Sequence, residues 1–547
     1  MEKLLHEALQ NGCKLHKSVE FIQSRDDNAC FGSYIAVAQN DIAPDQLLIS
    51  CPFEYAITYN KAKEELKKLN PNFESCNPHI TLCTFLALES LKGIQSKWYG
   101  YIEYLPKTFN TPLYFNENDN AFLISTNAYS AAQERLHIWK HEYQEALSLH
   151  PSPTERFTFD LYIWSATVFS SRCFSSNLIY KDSESTPILL PLIDSLNHKP
   201  KQPILWNSDF QDEKSVQLIS QELVAKGNQL FNNYGPKGNE ELLMGYGFCL
   251  PDNPFDTVTL KVAIHPDLPH KDQKAAILEN DCQFQLSNLV FFLPKSPDKE
   301  IFQKILQCLA VVTASSLELR KLTAHLLTGD LASYVPSLRG QIKSLEVLLM
   351  YIDSRADLLL KSNPQVSPTS ERQVWAKIYR DSQINILQDS ITYVKNYMEE
   401  SLQKTYKPLP NLLQYLILNS ISIFLLQHPL FAPLSHAIES LYGSTDAEAL
   451  VATDEQDILM ILICVYCLSI SEKLPFSISM LVEGYPAVAN PEGVEVFEIL
   501  DEMFFQQFTN VFGESKHFNK ENVSWALQLV NDESLDFSGF TFIIAHN

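Results

Sequence analysis

Asp194-Ser195-Leu196-Asn197-His198, joined about 36 positions later by Phe231-Asn232-Asn233-Tyr234-Gly235, decides how this chain is read. The second segment runs on through Asn239-Glu240-Glu241-Leu242-Leu243 to Gly245-Tyr246-Gly247-Phe248. Its glycines punctuate turns, and the run between them reads as a short helix. By residue type, Asp194, Ser195 and His198 belong to a hydrolase triad. They lie too close in sequence for relay geometry, however, and no Gly-x-Ser-x-Gly elbow surrounds the serine. Gly235, Gly238, Gly245 and Gly247 form neither a phosphate loop, since no Lys-Ser or Lys-Thr pair follows, nor a dinucleotide fingerprint after a strand. His198 with Cys173 or Cys249 lacks the paired spacing of a metal site. Tyr234 on its own is a core tyrosine beside a turn.

Working outward, strand texture surrounds these segments at Ile188 to Ile193, Ser215 to Val224 and Thr257 to Val262, where alternation is clear. It recurs near the start, at Tyr34-Ile35-Ala36-Val37 and Leu47-Leu48-Ile49-Ser50, separated by the turn chemistry of Asp41-Ile42-Ala43-Pro44-Asp45. Between them the texture is helical, with an apolar stripe over Thr81 to Leu91 and charge alternating with Leu136, Trp139 and Tyr143 over Ala131 to Leu149. Strands on both sides of helices predict one β domain with an insert. The expected divisions are 1–60 and 186–265 for the β domain and 61–185 for the insert. Beyond Pro266 nearly everything reads helical. Leu338, Ile342, Leu345, Leu349, Ile352, Ala356 and Leu359 are spaced by four and three, stopped at Ser362-Asn363-Pro364. Ile384, Leu387, Ile391, Val394 and Met398 continue the theme, which predicts antiparallel helix packing in a domain over 266–547 rather than a dimerising coiled coil. The class is α+β, a β-rich domain with a helical insert followed by an all-α domain.

Composition bounds the function. The chain has 547 residues and a formal charge of −23. That balance fits docking of a basic protein and argues against direct nucleic-acid binding. The first residues form a short amphipathic stretch ending at Asn11-Gly12, without the apolar core of a secretory signal, which predicts a protein retained inside the cell. The longest apolar run, Ile458 to Ile470, is too short to span a membrane and reads as a buried core helix. Eleven cysteines without regular spacing read as reduced small hydrophobes. Cys464 and Cys467 form a C-x-x-C with no second pair, so core packing is expected there rather than zinc.

In this order, strand segment, helical insert, Asp-x-x-Asn-His, Asn-Tyr-Gly, Asn-x-Glu-Leu-Leu helix and Tyr-Gly-Phe end, the motifs resemble those of SET-domain lysine methyltransferases. The subgroup they resemble holds the plant Rubisco large-subunit methyltransferase and the fungal ribosomal lysine methyltransferases, and the similarity covers residues 1–265. The resemblance implies a SET domain followed by a helical substrate-recognition domain, with S-adenosylmethionine as cofactor. It sets the main chain of Asn197 and His198 against the cofactor, with Asp194 bracing the loop and Tyr234 as the active-site tyrosine. Arg172 falls at a cofactor-binding arginine of the subgroup, the alternative being a structural ion pair. Phe248 falls where an aromatic packs on adenine, and Tyr246 lines the lysine channel or cofactor pocket, or simply packs. The family's Gly-x-Gly turn appears as Cys30-Phe31-Gly32, so Phe31 and Gly32 meet the cofactor's methionine end while the first glycine is replaced.

The implied reaction needs no metal, because a sulfonium is already activated and the enzyme mainly aligns an amine with the methyl carbon. The implied substrate is a basic protein of the translation machinery, foremost a large-subunit ribosomal protein, with translation elongation factor 1A and a histidine acceptor as alternatives. A catalytically weak scaffold that binds a partner is the alternative of another class. Histone substrates fit less well, since only Cys249 follows Phe248 where many histone enzymes carry a cysteine cluster. A monomer in cytoplasm and nucleus completes the expectation.

Overall fold

The computed structural model describes residues 1–24, 34–71, 73, 77–149, 155–181, 184–262, 264, 266–281, 289–405, 420–453, 455–470, 474, 491–512, 517–537 and 540–544. They form two compact units, Met1–Val258 with Asp357–Ile386, and Thr259–Ala356 with Leu387–Asn547. The division differs from the expected boundary near 265, because Asp357–Ile386 returns to the first unit.

The first unit opens with helix α1 (Glu2–Gln10), closed at Asn11-Gly12, and strands β1 (Lys14–Leu15), β2 (Val19–Gln23), β3 (Tyr34–Ala38) and β4 (Leu47–Pro52). Helices α2 (Tyr59–Leu69), α3 (Pro78–Lys92), α4 (Tyr99–Tyr104), α5 (Glu117–Asn120), α6 (Asn127–Leu149) and α7 (Phe159–Arg172) follow. Short-side-chain caps start several of them. Thr58 accepts from Lys61 N, Asn77 from His79 N ahead of Pro78, and Thr158 from Leu161 N, each satisfying a backbone donor that the first turn leaves orphaned. Glu142 on α6 gathers Asn77 Nδ2 (3.1 Å), His79 Nδ1 (2.9 Å) and Tyr162 OH (3.1 Å), tying α3, α6 and α7 into one insert.

The chain then returns to strands, β5 (Phe174–Ser175), β6 (Pro187–Ile188), β7 (Asn197–His198), β8 (Ile204–Asp209), β9 (Ser215–Ser220) and β10 (Phe231–Asn232), before α8 (Asn239–Tyr246). The main sheet has the order β1-β4-β9-β8 and is antiparallel, with Ser50 opposite Gln217 and Leu205 opposite Ile219. Since β4 precedes the insert and β9 follows it, their pairing closes one sheet around the insert, as the flanking strand texture predicts. Leu48, Ile49, Cys51, Val216 and Leu218 supply its buried face.

One expected strand is corrected. Within Ile188 to Ile193, Ile188 pairs with β5 and Leu189 bridges Ile57; Leu192 then takes φ 74° and the chain tightens into a 3₁₀ turn over Ile193–Ser195. Leu189, Leu190 and Leu192 are completely buried. An apolar run of that kind reports burial on all sides and does not separate a strand from a packed turn.

The second unit contains most of strand β11 (Thr257–Val262), then α9 (Lys271–Asp281), β12 (Leu289–Pro294), α10 (Lys299–Thr313) and α11 (Ser316–Leu326). Helix α12 (Leu338–Lys361) gives its part up to Ala356 to this unit, and α13 (Glu371–Thr405) the part after Ile386. Beyond lie β13 (Ser420–Ser422), α14 (Ala432–Tyr442), α15 (Ala447–Val451), α16 (Gln456–Ser469), α17 (Pro491–Phe512), α18 (Lys520–Glu533), β14 (Ser534–Phe537) and β15 (Phe540–Ile544). The unit is helical as expected, yet not wholly so, since β13, β15 and β14 form a sheet in that order. Helix α16 is buried from Leu459 to Cys467, so the Cys464/Cys467 pair sits in core packing. Among the described residues, no helix is long and apolar enough to cross a membrane, and no cluster of His, Cys, Asp and Glu is placed to hold a metal ion.

Candidate active site

The two segments that decide the sequence reading lie side by side. Strand β7 pairs parallel with β10, Asn197 opposite Phe231 and His198 opposite Asn232. Parallel neighbours need a crossover, which the β8–β9 hairpin provides between them. Immediately after β10, the Tyr234 N–H donates to His198 Nδ1 at 3.0 Å, and the Tyr234 hydroxyl donates to the Leu196 carbonyl at 2.8 Å. The first bond assigns the imidazole proton to Nε2, which is buried and has no hydrogen-bond partner. Burial, then the Lys237 ammonium, hold the His198 pKa below its ordinary value, keeping the ring neutral.

The rings of His198, Tyr234 and Tyr246 form a stack, with centroids 4.9 Å apart at both steps and interplanar angles of 21° and 22°. Phe248 sits beside the stack, 6.5 Å from His198 and 6.3 Å from Tyr246. Gly247 has φ 80°, and a Cβ there would lie 2.7 Å from the Asn110 backbone. Only glycine therefore allows α8 to end with Tyr246 and Phe248 in these places.

Asp194 anchors the other side. Its Oδ2 accepts from the Tyr101 hydroxyl at 2.9 Å and from Arg172 Nη1 at 3.1 Å, and the same Nη1 donates to the Asp194 carbonyl at 3.1 Å. The Asp194 side chain is 1% exposed, and its Oδ1 has no hydrogen-bond partner. Burial raises the Asp194 pKa against the opposing pull of Arg172 and Tyr101. Arg172 is held firmly protonated, since Asp194 and the tyrosines at 104, 101 and 234 outweigh the cost of its burial. Its guanidinium also lies 5.7 Å from the Tyr104 ring centre.

These groups meet at a cleft of about 480 Å³, within the range of small-molecule sites. Arg172, Asp194, Tyr234 and Tyr246 line it. Asn197, half-buried in β7, His198 and Phe248 are not among the residues that line it. Phe31 and Gly32, with Cys30, lie outside the described residues. Sequence reasoning missed Tyr101 and Tyr104, and also the cleft-lining Trp206, Asn232 and Lys237. Trp206 Nε1 donates to Asn232 Oδ1 at 2.9 Å, and its ring meets Phe174 edge-on at 5.2 Å. Trp206 is 37% exposed and follows Ile204 and Leu205, so nothing in the sequence set it apart from an ordinary strand residue. Tyr101 carried no signal, because its partner is 93 residues away.

The architecture matches solved structures. The SET domain of LSMT bound to lysine and AdoHcy superposes with a TM-score of 0.55 at 16% identity, covering 76% of this chain and 97% of that one. Rubisco LSMT bound to AdoMet gives 0.58 at 18%, with 76% and 99% covered. The fold is that of a SET domain.

No protein-family model matches the chain. Among curated proteins it is similar to ribosomal lysine N-methyltransferase 1 of Saccharomyces cerevisiae, 25% identical over 430 residues, 67% of this chain and 69% of that protein. It is also similar to the actin-histidine N-methyltransferase of Danio rerio, 25% identical over 349 residues, 59% of this chain and 56% of that protein. A protein-lysine N-methyltransferase of the same yeast is 27% identical over 269 residues, 40% and 45% of the two chains. The matches thus span about two thirds of the first relative and about half of the others.

The cleft's residues fit S-adenosylmethionine, the molecule bound in the solved neighbour. A sulfonium with an adenosyl and an amino-acid arm suits a wall of stacked tyrosines beside fixed charges of both signs. The buried, partnerless Asp194 Oδ1 and the Arg172 guanidinium supply those charges.

Proposed function

We propose that the chain transfers a methyl group from S-adenosylmethionine to a lysine of a ribosomal protein, foremost one of the large subunit. The observation that carries the reading is the Tyr234 hydroxyl, fixed by the Leu196 carbonyl on the wall of the cleft and flanked by the Arg172–Asp194 pair. When bound, the cofactor supplies a methyl group already activated for transfer. The chain's residues position the acceptor and set its protonation. Burial pushes the Tyr234 hydroxyl well above its ordinary pKa, against the opposing Arg172. Tyr234 therefore stays protonated, donates to Leu196, and keeps lone-pair capacity to orient an acceptor amine. A free lysine of pKa about 10.4 enters largely as ammonium. Aromatic walls desolvate it, and the Lys237 ammonium on the same cleft repels it, both favouring the neutral nucleophile. Arg172, Asp194 and Tyr234 would hold the cofactor.

Radiolabelled S-adenosylmethionine, the purified chain, and ribosomes or elongation factor from cells lacking it test the reading. A ribosomal protein band should take up label, and Tyr234→Phe should reduce that uptake about 100-fold. Equal turnover by the variant would remove Tyr234 from the mechanism. The actin-histidine relatives favour a second reading, a histidine acceptor, and acid hydrolysis of the labelled band separates methyl-lysine from methyl-histidine. We place the protein, as a monomer, in cytoplasm and nucleus, which cell fractionation and light scattering would check.

A further inference from the structure

We infer that Tyr379 and Ser382, on the part of α13 that returns to the first unit, are positioning residues that hold the tyrosine wall of the cleft in place. The inference rests on the cleft being the methyl-transfer site. The wall is a short piece of chain. It runs from Tyr234 through Lys237 to α8, whose last residue is Tyr246, and all three side chains line the cleft.

One side of this piece is tied locally. Asn239 is fully buried, its N–H donates to Asp256 Oδ1 at 2.8 Å, and its amide donates to Asp256 Oδ2 at 2.9 Å and the Leu250 carbonyl at 3.0 Å. Asn253 Nδ2 donates to the Lys237 carbonyl at 2.8 Å. The loop bearing Tyr234, the first turn of α8 and the turn before β11 therefore move together, and Asp256 is their shared node.

Helix α13 grips that node from outside. The Tyr379 hydroxyl donates to Glu240 Oε2 at 2.7 Å, and the Ser382 hydroxyl donates to the Asp256 carboxylate. Tyr379 packs in one apolar cluster with Leu243 and Met244 of α8. The grip is useful only if α13 is itself fixed, and it is. Arg380, 0% exposed, donates to the carbonyls of Phe122 (3.0 Å), Leu359 (2.8 Å) and Ile124, none of which belongs to the wall. A buried guanidinium pinned to several carbonyls has one low-energy placement, because any shift strands its donors away from water. Tyr379 and Arg380 are adjacent, so one residue anchors the helix and its neighbour transfers that position to α8. A misplacement of about 1 Å at a reacting centre costs on the order of 10²-fold in rate.

The test uses the full chain with Tyr379→Phe and Ser382→Ala combined, at a temperature below the onset of melting of both proteins. Three readouts are taken: amide hydrogen exchange over 234–246, calorimetric affinity for S-adenosylhomocysteine, and kcat against KM for the protein substrate. We expect faster exchange over 234–246, weaker S-adenosylhomocysteine binding, and kcat reduced about tenfold with KM changed less than about twofold, as loss of positioning requires. Ser382→Thr, which keeps the hydroxyl, should restore the Ser382 share. A folded variant with parental exchange over 234–246 overturns the inference, as does parental S-adenosylhomocysteine affinity and kcat with only a lowered melting temperature. The exchange readout needs no ligand. Failure of the methyl-transfer reading, seen as a parent chain that neither binds S-adenosylhomocysteine nor transfers methyl, is thus told apart from failure of this one.

Discussion

Each unit buries an arginine against a carboxylate, and the two pairs are built differently. In the first unit Arg172 meets one acid, Asp194, whose remaining oxygen is buried without a partner on the wall of a cleft. In the second, Arg339 is enclosed by α10, α11 and α18. It donates to Glu318 at 2.7 Å and to the carbonyls of Thr313 and Asp532 at 3.2 and 2.6 Å, while its Nε faces Glu533 at 3.8 Å. Glu318 also caps α11 through the Ser315 N–H at 3.0 Å and takes the Ser337 hydroxyl. Both arginines carry the cost of desolvation, so burial of an ion pair does not mark a functional site. What separates them is where the leftover hydrogen-bonding capacity points. At Arg339 it faces another carboxylate of the fold; at Asp194 it lines a cavity.

The sharpest way to break this contrast is to remove each arginine in turn. Arg339→Met should lower the unfolding free energy by about 3–5 kcal/mol, since Glu318 and Glu533 are left buried without their cation. The folded fraction should bind S-adenosylhomocysteine as before. Arg172→Met should destabilise too, and in addition weaken that binding by at least about tenfold. Urea titration and calorimetry on both variants read the two effects, and unchanged affinity in Arg172→Met would make its pair as structural as the other.

A smaller effect is expected at the wall itself. Gly247→Ala places a Cβ against the Asn110 backbone at a φ of 80°, and should cost about 2–3 kcal/mol in stability. Gly443→Ala in the second unit has φ 71° with nothing within 4 Å of the added carbon, so only the backbone term of about 1 kcal/mol applies. Equal losses in urea titration would mean the close approach at Asn110 does not hold α8.

The last effect is a pH dependence confined to the second unit. Burial, and after it Arg339, lower the pKa of Lys274 from 10.5 to about 8. Its amine donates to the Val312 carbonyl at 2.9 Å. Between about pH 8 and 10.5 the unfolded chain binds a proton that the folded chain lacks, so this group makes stability rise with pH there. Below pH 8 its unfavourable contribution is fully present. Lys274→Met should flatten that part of the stability profile relative to the parent, and parallel profiles would show that the amine is not desolvated.

The sequence made part of this legible and hid the rest for physical reasons. Asp194, Arg172, Tyr234 and Tyr246 were readable because each sits in or beside a short motif, and all four line the cleft. The strands flanking the insert were readable as short strand-like segments bounded by turn chemistry, and β4 and β9 do pair. Arg172 shows the limit: of its two readings, cofactor contact and ion pair, the ion pair with Asp194 is present, in a side chain that also lines the cleft. Tyr101 and Trp206 were invisible because their roles come from partners 93 and 26 positions away. The left-handed Leu192 was hidden inside an apolar run whose composition suits a strand equally well. The return of Asp357–Ile386 was hidden as well, since the periodic spacing of α12 and α13 says which faces are apolar but not which unit they cover. Arg380 is the residue that settles it, and an arginine in a charged helical stretch reads as solvent-facing until its carbonyl partners are seen.

That return has a consequence for how the chain is made. Val258 leaves the ribosome about 128 positions ahead of Ile386. At synthesis rates of about 5–20 residues per second, the first unit waits about 6 to 26 s for its last helix. During that interval the buried faces of Leu243 and Met244 lack Ala376 and Tyr379, with which they cluster in the finished fold. The nascent first unit therefore exposes apolar surface over that period, when a chaperone that shields such surface has its strongest claim on the chain.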